Sequence, residues 1–337
     1  MALNYPRLDN ASGVWNMKEV TEAVLGGYWP KGGARGVVAG NTTVATDIEY
    51  INIATAGDGT DFGDLTESKH QTGSASSHTR GLYACGSTGS RVNTIEYITI
   101  MTTGNGTDFG DATASIDSHH HGTSNAVRAI FAGGYDTALS NVTNMMDYVQ
   151  MSSLGNATDY GDLTVPRQNL IATGSPTRGL WFCGGDPNGP VVTIDHVTIA
   201  TTGDAADFGD TTSARRNGFA GSTGVRAIQG GGRITAAQDT IDYVTIASTG
   251  NAIDYADLSA ARSKGGSVDN STRMVFVGGL TGAGDATDVD TIDYINIAVG
   301  GVATDFGDLT GDKGQIAGCS NALGGLQDGN QGVVDTT

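Results

Sequence analysis

Three cysteines in 337 residues are too few for a disulfide framework. Two of them, Cys85 and Cys183, fall at the same place in a repeat, two repeats apart, so they are not expected to meet. All three read as small packed residues of a reducing compartment. No apolar run approaches the roughly 18 residues that a membrane span needs. The start, Met1 to Pro6, lacks the basic-then-apolar order of a signal peptide, so the expectation is synthesis in the cytosol with no membrane partner. Positive charge is also scarce, with 18 Lys and Arg against 36 Asp and Glu. Phosphate binding needs a Lys/Arg surface, so nucleic acid is excluded as a partner. Prolines number only six and aromatics 7%.

Glycine is abundant, at 52 residues, and with so few prolines it points to many tight turns rather than to disorder. A tag of isoleucine, acid and aromatic recurs six times: Ile48-Glu49-Tyr50, Ile95-Glu96-Tyr97, Met146-Asp147-Tyr148, Ile194-Asp195-His196, Ile241-Asp242-Tyr243 and Ile292-Asp293-Tyr294. A second tag starts thirteen residues after each, as in Asp61-Phe62-Gly63-Asp64 and Asp207-Phe208-Gly209-Asp210. In the fifth repeat it reads Asp254-Tyr255-Ala256-Asp257. A period near 50 residues means a repeat architecture. Each repeat fixes three acids and one arginine, so most of the negative charge belongs to the framework.

Residues 226–259 show one unit. A short apolar run begins at Arg226 and ends in Gly231-Gly232, the tag strand follows over Ile241–Ile246, and a Thr-Gly-Asn turn leads to Asp254–Ser259. A small-residue segment, Gly265–Asn270, then enters the next arginine run at Arg273. These are four short strands joined by turn chemistry. No helical period persists inside the repeats. Both faces of the tag strand carry apolar residues, as in strands covered on both sides. The first repeat lacks the small-residue strand, and one such segment, Gly314–Asn321, is left over after the sixth. The sequence therefore predicts an all-β, six-bladed β-propeller over 34–337, closed by a C-terminal strand that leaves no open edge.

The apolar strand ending in a glycine doublet, followed by an aromatic of the second tag, resembles kelch-type repeats, with Phe or Tyr where kelch has tryptophan. The wording "TIDYVTIASTGN…DYADLS" is similar to propeller repeats of virion proteins of tailed phages, especially phages of marine cyanobacteria. The resemblance implies a non-enzymatic virion structural protein, tail-, fibre- or capsid-associated. It would bind other virion proteins, contact the host surface in a second role, and be able to assemble with copies of itself in the particle. Its place is the virion, after synthesis in the host cytoplasm. The rival reading is a carbohydrate-binding receptor-recognition module. For that reading the aromatics outside the framework, Tyr135 and Trp181, matter most.

Six arginines recur at the head of the glycine strand: Arg35, Arg80, Arg128, Arg178, Arg226 and Arg273. Six acids recur in the first tag: Glu49, Glu96, Asp147, Asp195, Asp242 and Asp293. A guanidinium fork matches a carboxylate, so the sequence predicts a structural ring of buried Arg–acid pairs. The carboxylate-rich turn Gly57–Asp64 lacks the D-x-D-x-D-G calcium spacing and reads as Asp-capped turns. His119-His120-His121 has no visible further zinc ligands and reads as an exposed loop. There is no glycine-flanked serine elbow, Walker loop, sialidase Asp-box or galactose-oxidase copper set. No catalytic residue, metal or cofactor is expected.

Residues 1–33 lie outside the repeat. Asn16 and Glu19 make a weak capping box, Met17, Val20 and Val24 share a face, and Gly26-Gly27 would end a short helix. With Trp15 and Trp29 flanking it, this arm is expected to dock on a neighbouring protein or to cap the propeller. The arm resembles short lead segments of phage structural proteins.

Overall fold

The computed structural model describes residues 34–322, apart from 44, 118–121, 283 and 285. The arm residues Trp15, Val20, Val24 and Trp29 and the histidine run 119–121 lie outside them. Among the described residues the fold is all-β, with no helix.

Among the described residues six sheets of four or five strands, antiparallel but for one added edge strand, follow one another in chain order, with three smaller sheets of two or three strands beside them. The second runs Gly73–Ser76, Arg80–Ala84, Thr94–Thr99, Thr107–Asp111, from inner to outer strand. The third uses Thr123–Ser124, Arg128–Ala132, Met145–Gln150 and Thr158–Asp162, and the fourth Ile171–Gly174, Arg178–Phe182, Thr193–Thr198 and Ala206–Asp210. The fifth uses Phe219–Ser222, Arg226–Gly230, Gln238–Thr245 and Ile253–Arg262, with Gly301–Val302 added in parallel at its edge. The sixth uses Gly266–Asp269, Arg273–Val277, Thr291–Asn296 and Thr304–Asp308. The first sheet takes Arg35–Ala39, Asp47–Asn52 and Thr60–Asp64 from the start of the repeats and Ala317–Ser320 from their end. In that pairing Val37 faces Cys319 and Ala39 faces Ala317.

The tag strand is buried on both sides because each sheet is packed between two others. Val37, Ile48 and Phe62 of the first sheet meet Tyr83 and Ile98 of the second. On its other side Val38 and Ile51 meet Val275, Ile292 and Phe306 of the sixth. The second tag supplies the one large apolar group of the outer strand through a bulge. Ile48 pairs with Gly63 and Glu49 with Asp61, so Phe62 is the extra residue. The bulge turns the ring inward, to 2% exposure, while Asp61 and Asp64 face solvent. Charged residues on such a strand discourage pairing with another chain's edge.

Glycine follows that aromatic for a steric reason. Gly63 has φ of 144°, and a Cβ there would lie 2.6 Å from the carbonyl of Gly104 in the next sheet. Gly104 N–H donates to Phe62 O at 2.8 Å across that approach. Gly63→Ala therefore adds a backbone clash to a strained φ, and we expect it to cost about 2–3 kcal/mol by denaturant unfolding. A loss under about 0.5 kcal/mol, as for an ordinary surface change, would show the approach to be slack.

At the inner end of five connections one residue takes left-handed geometry, with φ between 55° and 59° at Gln71, Asn169, Asn217, Lys264 and Gln315. Their backbones bond head to tail: Gln71 N–H to Gln315 O at 3.2 Å, Gln315 to Lys264 at 2.6 Å, Lys264 to Asn217 at 2.7 Å and Asn217 to Asn169 at 2.9 Å. Residue 118 takes the equivalent place in the second repeat and is not among those described.

Candidate functional site

The structure separates the two charged sets that the sequence reading paired. In the first hairpin Arg35 pairs with Asn52 and Val38 with Glu49, so the arginine and the acid stand three residues apart along the strands. That is about 10 Å at strand rise. Each arginine instead lies over an aromatic ring of its own sheet and donates to a carbonyl of the next. Arg35 sits 4.2 Å from the Tyr50 centroid and donates to Ile100 O at 3.1 Å. Arg80 covers Tyr97 and donates to Met151 O, and Arg128 covers Tyr148 and donates to Ile199 O and Ala200 O. Arg226 covers Tyr243 and donates to Ile297 O, and Arg273 covers Tyr294 and donates to Ala54 O in the first sheet. Arg178 departs because the fourth tag carries His196. It donates to Ile246 O at 2.7 Å and stands 6.0 Å from Phe208. Burial first, and the Arg178 charge second, lower the His196 pKa.

These arginines are half-buried. Arg226→Ala removes cation–π contacts to Tyr243 and Tyr255, a bond to the Tyr255 hydroxyl and its carbonyl bonds without stranding an acid, so we expect about 1–2 kcal/mol. A loss of 4 kcal/mol or more would restore the buried-pair reading.

The tag acids are buried, and their cations come from elsewhere. Asp195 binds Arg167 at 2.6 Å and Asp242 binds Arg215 at 2.5 Å, with all four side chains essentially inaccessible. Asp293 pairs with Arg262, Glu96 with Lys69 at 2.7 Å and Glu49 with Lys313 at 2.6 Å. Each cation sits five residues after the last aspartate of the preceding second tag. The same acids accept a backbone N–H and, in most repeats, a hydroxyl from that neighbour: Thr310 for Glu49, Thr66 for Glu96, Thr164 for Asp195, Thr212 for Asp242 and Ser259 for Asp293. A buried carboxylate needs both kinds of partner. This cation position was missed, although spacing alone could have found it: Lys69, Arg167, Arg215, Arg262 and Lys313 are in register. The second repeat has Ile116 there, and among the described residues Asp147 accepts only from Thr113 N–H and Oγ1–H, at 3.0 and 2.7 Å.

The acids of the outer turns serve the backbone. Asp58 Oδ1 accepts Asp308 N–H at 3.2 Å, and Asp204, Asn105, Asn156 and Asn251 accept the matching N–H in other sheets. Trp181 is fully buried in the layer between the third and fourth sheets, so it offers no platform to a ligand. Tyr135 is half-buried with the Arg91 guanidinium 4.3 Å from its centroid. The three cysteines are free and buried, and burial pushes the thiols of Cys85 and Cys319 up to about 12.

A cavity of about 70 Å³ is lined by small residues of six strands, among them Ser74, Ser76, Thr123, Ser222, Ser267 and Ser320. That holds a few waters and is far below the roughly 300 Å³ of an ordinary ligand pocket. Its hydroxyls join neighbouring sheets. Ser124 donates to Ser76 O, Thr123 to Thr173 O, Ser222 to Gly174 O, Ser267 to Ala220 O, Ser320 to Asp269 O, and Ser74 to Gly318 O.

With this geometry in view, the similarity to known proteins concerns fold alone. The chain is similar to the solved structure described as "Structure of YjhT", with a TM-score of 0.63 at 12% identity, over 78% of this chain and 92% of that one. No family model matches the chain, and no curated protein matches it.

Proposed function

We propose that this chain is a six-bladed β-propeller of the kelch kind, closed by Ala317–Ser320, and that it serves as a non-enzymatic structural protein of a tailed-phage virion. Six consecutive sheets, apolar layers on both sides of the first sheet, and an Arg273 that reaches back to Ala54 support the closed ring. The phage assignment rests on the wording of the repeat. The observation that carries the structural role is the fate of the recurring charges. Arginines, tag acids and their cations are consumed in bonds between or within sheets, so the repeated chemistry supplies rigidity rather than a reacting group. The segment 1–33 would join the propeller to neighbouring virion proteins.

The test compares tagged full-length chain with a chain beginning at Ala34, both produced during infection. Full-length chain is expected in purified particles and the shortened one outside them. Full-length chain absent from particles overturns the virion reading. Equal incorporation of both moves docking to the sheets.

One observation favours carbohydrate binding as a second reading. A recess of about 220 Å³ is lined by the half-buried His196 ring with Thr198, Thr201 and Asp204, beside the buried Tyr160. Binding on a glycan array that is lost in Asp204→Ala would support it.

A further inference from the structure

The junction between the second and third sheets differs from the other five. The acid is kept, as Asp147, and so is its threonine donor, Thr113. The cation is replaced by Ile116, which packs with Leu82, Phe109 and Phe131 in the apolar layer. The Asp147 carboxylate is 3% exposed, and the sequence position whose equivalents supply an ammonium or guanidinium carries a hydrocarbon side chain here. Among the described residues none of the charged groups nearby supplies it with a cation: Arg91 is held by Asp117, next to Ile116, at 3.0 Å. Asp159 stands opposite it on the outer strand and carries the same sign. The Cys85 thiol feels the charges of Asp147, Lys69 and Asp111, and Lys69 is held by Glu96.

We propose that this junction is a pH-sensitive seam, closed most tightly when Asp147 is protonated and loosened when it ionises. The other five junctions behave oppositely, because protonating their acid would leave a buried cation without its partner. Burial raises the Asp147 pKa above its ordinary 3.8, the Thr113 bonds oppose this, and Asp159 adds to it. The sign follows from linkage. A group whose folded pKa is raised contributes stability that is complete below the unfolded value and lost as pH rises through the folded one. The window therefore opens at the ordinary carboxylate value and extends upward. Backbone bonds persist at the seam, such as Gly155 N–H to Phe109 O and Ala157 N–H to Asp111 O, so loosening means local opening rather than loss of fold.

Native-state hydrogen exchange on the full chain, from about pH 4 to about pH 8, tests this. Protection of Met145–Gln150 is expected to fall several-fold relative to the equivalent Gln238–Thr245 as pH rises. Asp147→Asn, which keeps shape and removes the charge, should abolish the fall in Met145–Gln150 with rising pH. Ile116→Lys restores a cation at the position of Lys69 and should do the same. Should Ile116→Lys not fold, Asp147→Asn decides alone. Protection of Met145–Gln150 that does not fall relative to Gln238–Thr245 in the natural chain overturns the proposal, and so does a fall in Met145–Gln150 that survives in Asp147→Asn.

Discussion

A chain ending at Lys313 is expected not to persist as a folded monomer. It lacks Ala317–Ser320, which pairs with Arg35–Ala39 along four residues. Without that strand the Gly36–Ala39 edge has no inner partner, and an unpaired edge invites pairing with another chain. The loss reaches further than one ladder. Ser74 and Ser76 lose their acceptors Gly318 and Ser320, and Asp269 loses the Ser320 hydroxyl. Ile316, Ala317 and Cys319 leave the apolar layers on both sides of the first sheet. Burying Ile316 is worth about 1.5–3 kcal/mol and the smaller Ala317 and Cys319 less, so with the lost ladder and hydroxyl bonds the truncation removes a large share of the margin of about 5–15 kcal/mol of an ordinary domain. Size-exclusion chromatography should show aggregate or oligomer, with exchange protection lost in the first sheet. A monomer of unchanged Tm would mean that the ring does not depend on this strand. Adding residues 314–337 in trans should restore the monomer-sized species if the strand acts by pairing.

Much of this architecture is legible in the sequence because it repeats. Tag spacing locates the strands, turn glycines end them, and an apolar tag strand without polar alternation requires cover on both faces. The strand pattern of residues 226–259 matches Arg226–Gly230, Gln238–Thr245 and Ile253–Arg262 closely, with the last running three residues longer than read. The partner of a charged residue is less legible. The tag acid and the strand-initial arginine recur together, and pairing them is the shortest guess. Register overrules it, since the hairpin between them is long enough to place the arginine at one end of the sheet and the acid toward the other. The true cation lies in the preceding connection, where Lys and Arg alternate among unlike neighbours and an isoleucine interrupts the series. The one departure, Ile116, is visible only after that series is recognised. His196 is similar: the sequence shows a histidine in a tyrosine position, but only the packing shows Arg178 left without its ring.

Replacing Arg215 by Ala should be among the most damaging single changes in the molecule. Its guanidinium holds Asp242 at 2.5 Å and also donates to Thr240 O at 2.8 Å, with no exposure of its side chain. After the substitution Asp242 remains buried with only the Thr212 N–H and hydroxyl as partners. An uncompensated buried charge costs roughly 3–5 kcal/mol, against about 1–2 kcal/mol for Arg226→Ala, whose side chain is half-buried and faces carbonyls and rings. The contrast between two arginines of one repeat is the discriminating measurement, read as the change in denaturant midpoint at constant m-value. The pair itself has a further signature. Replacing both partners by apolar residues of similar volume, Arg215→Met with Asp242→Leu, should recover most of the loss, because the expense lies in the stranded ion and not in the absent attraction. Equal effects of Arg215→Ala and Arg226→Ala would mean that water reaches Asp242. A double variant no better than the single one would place the value of the pair in its bonds to the Thr212 segment and to Thr240.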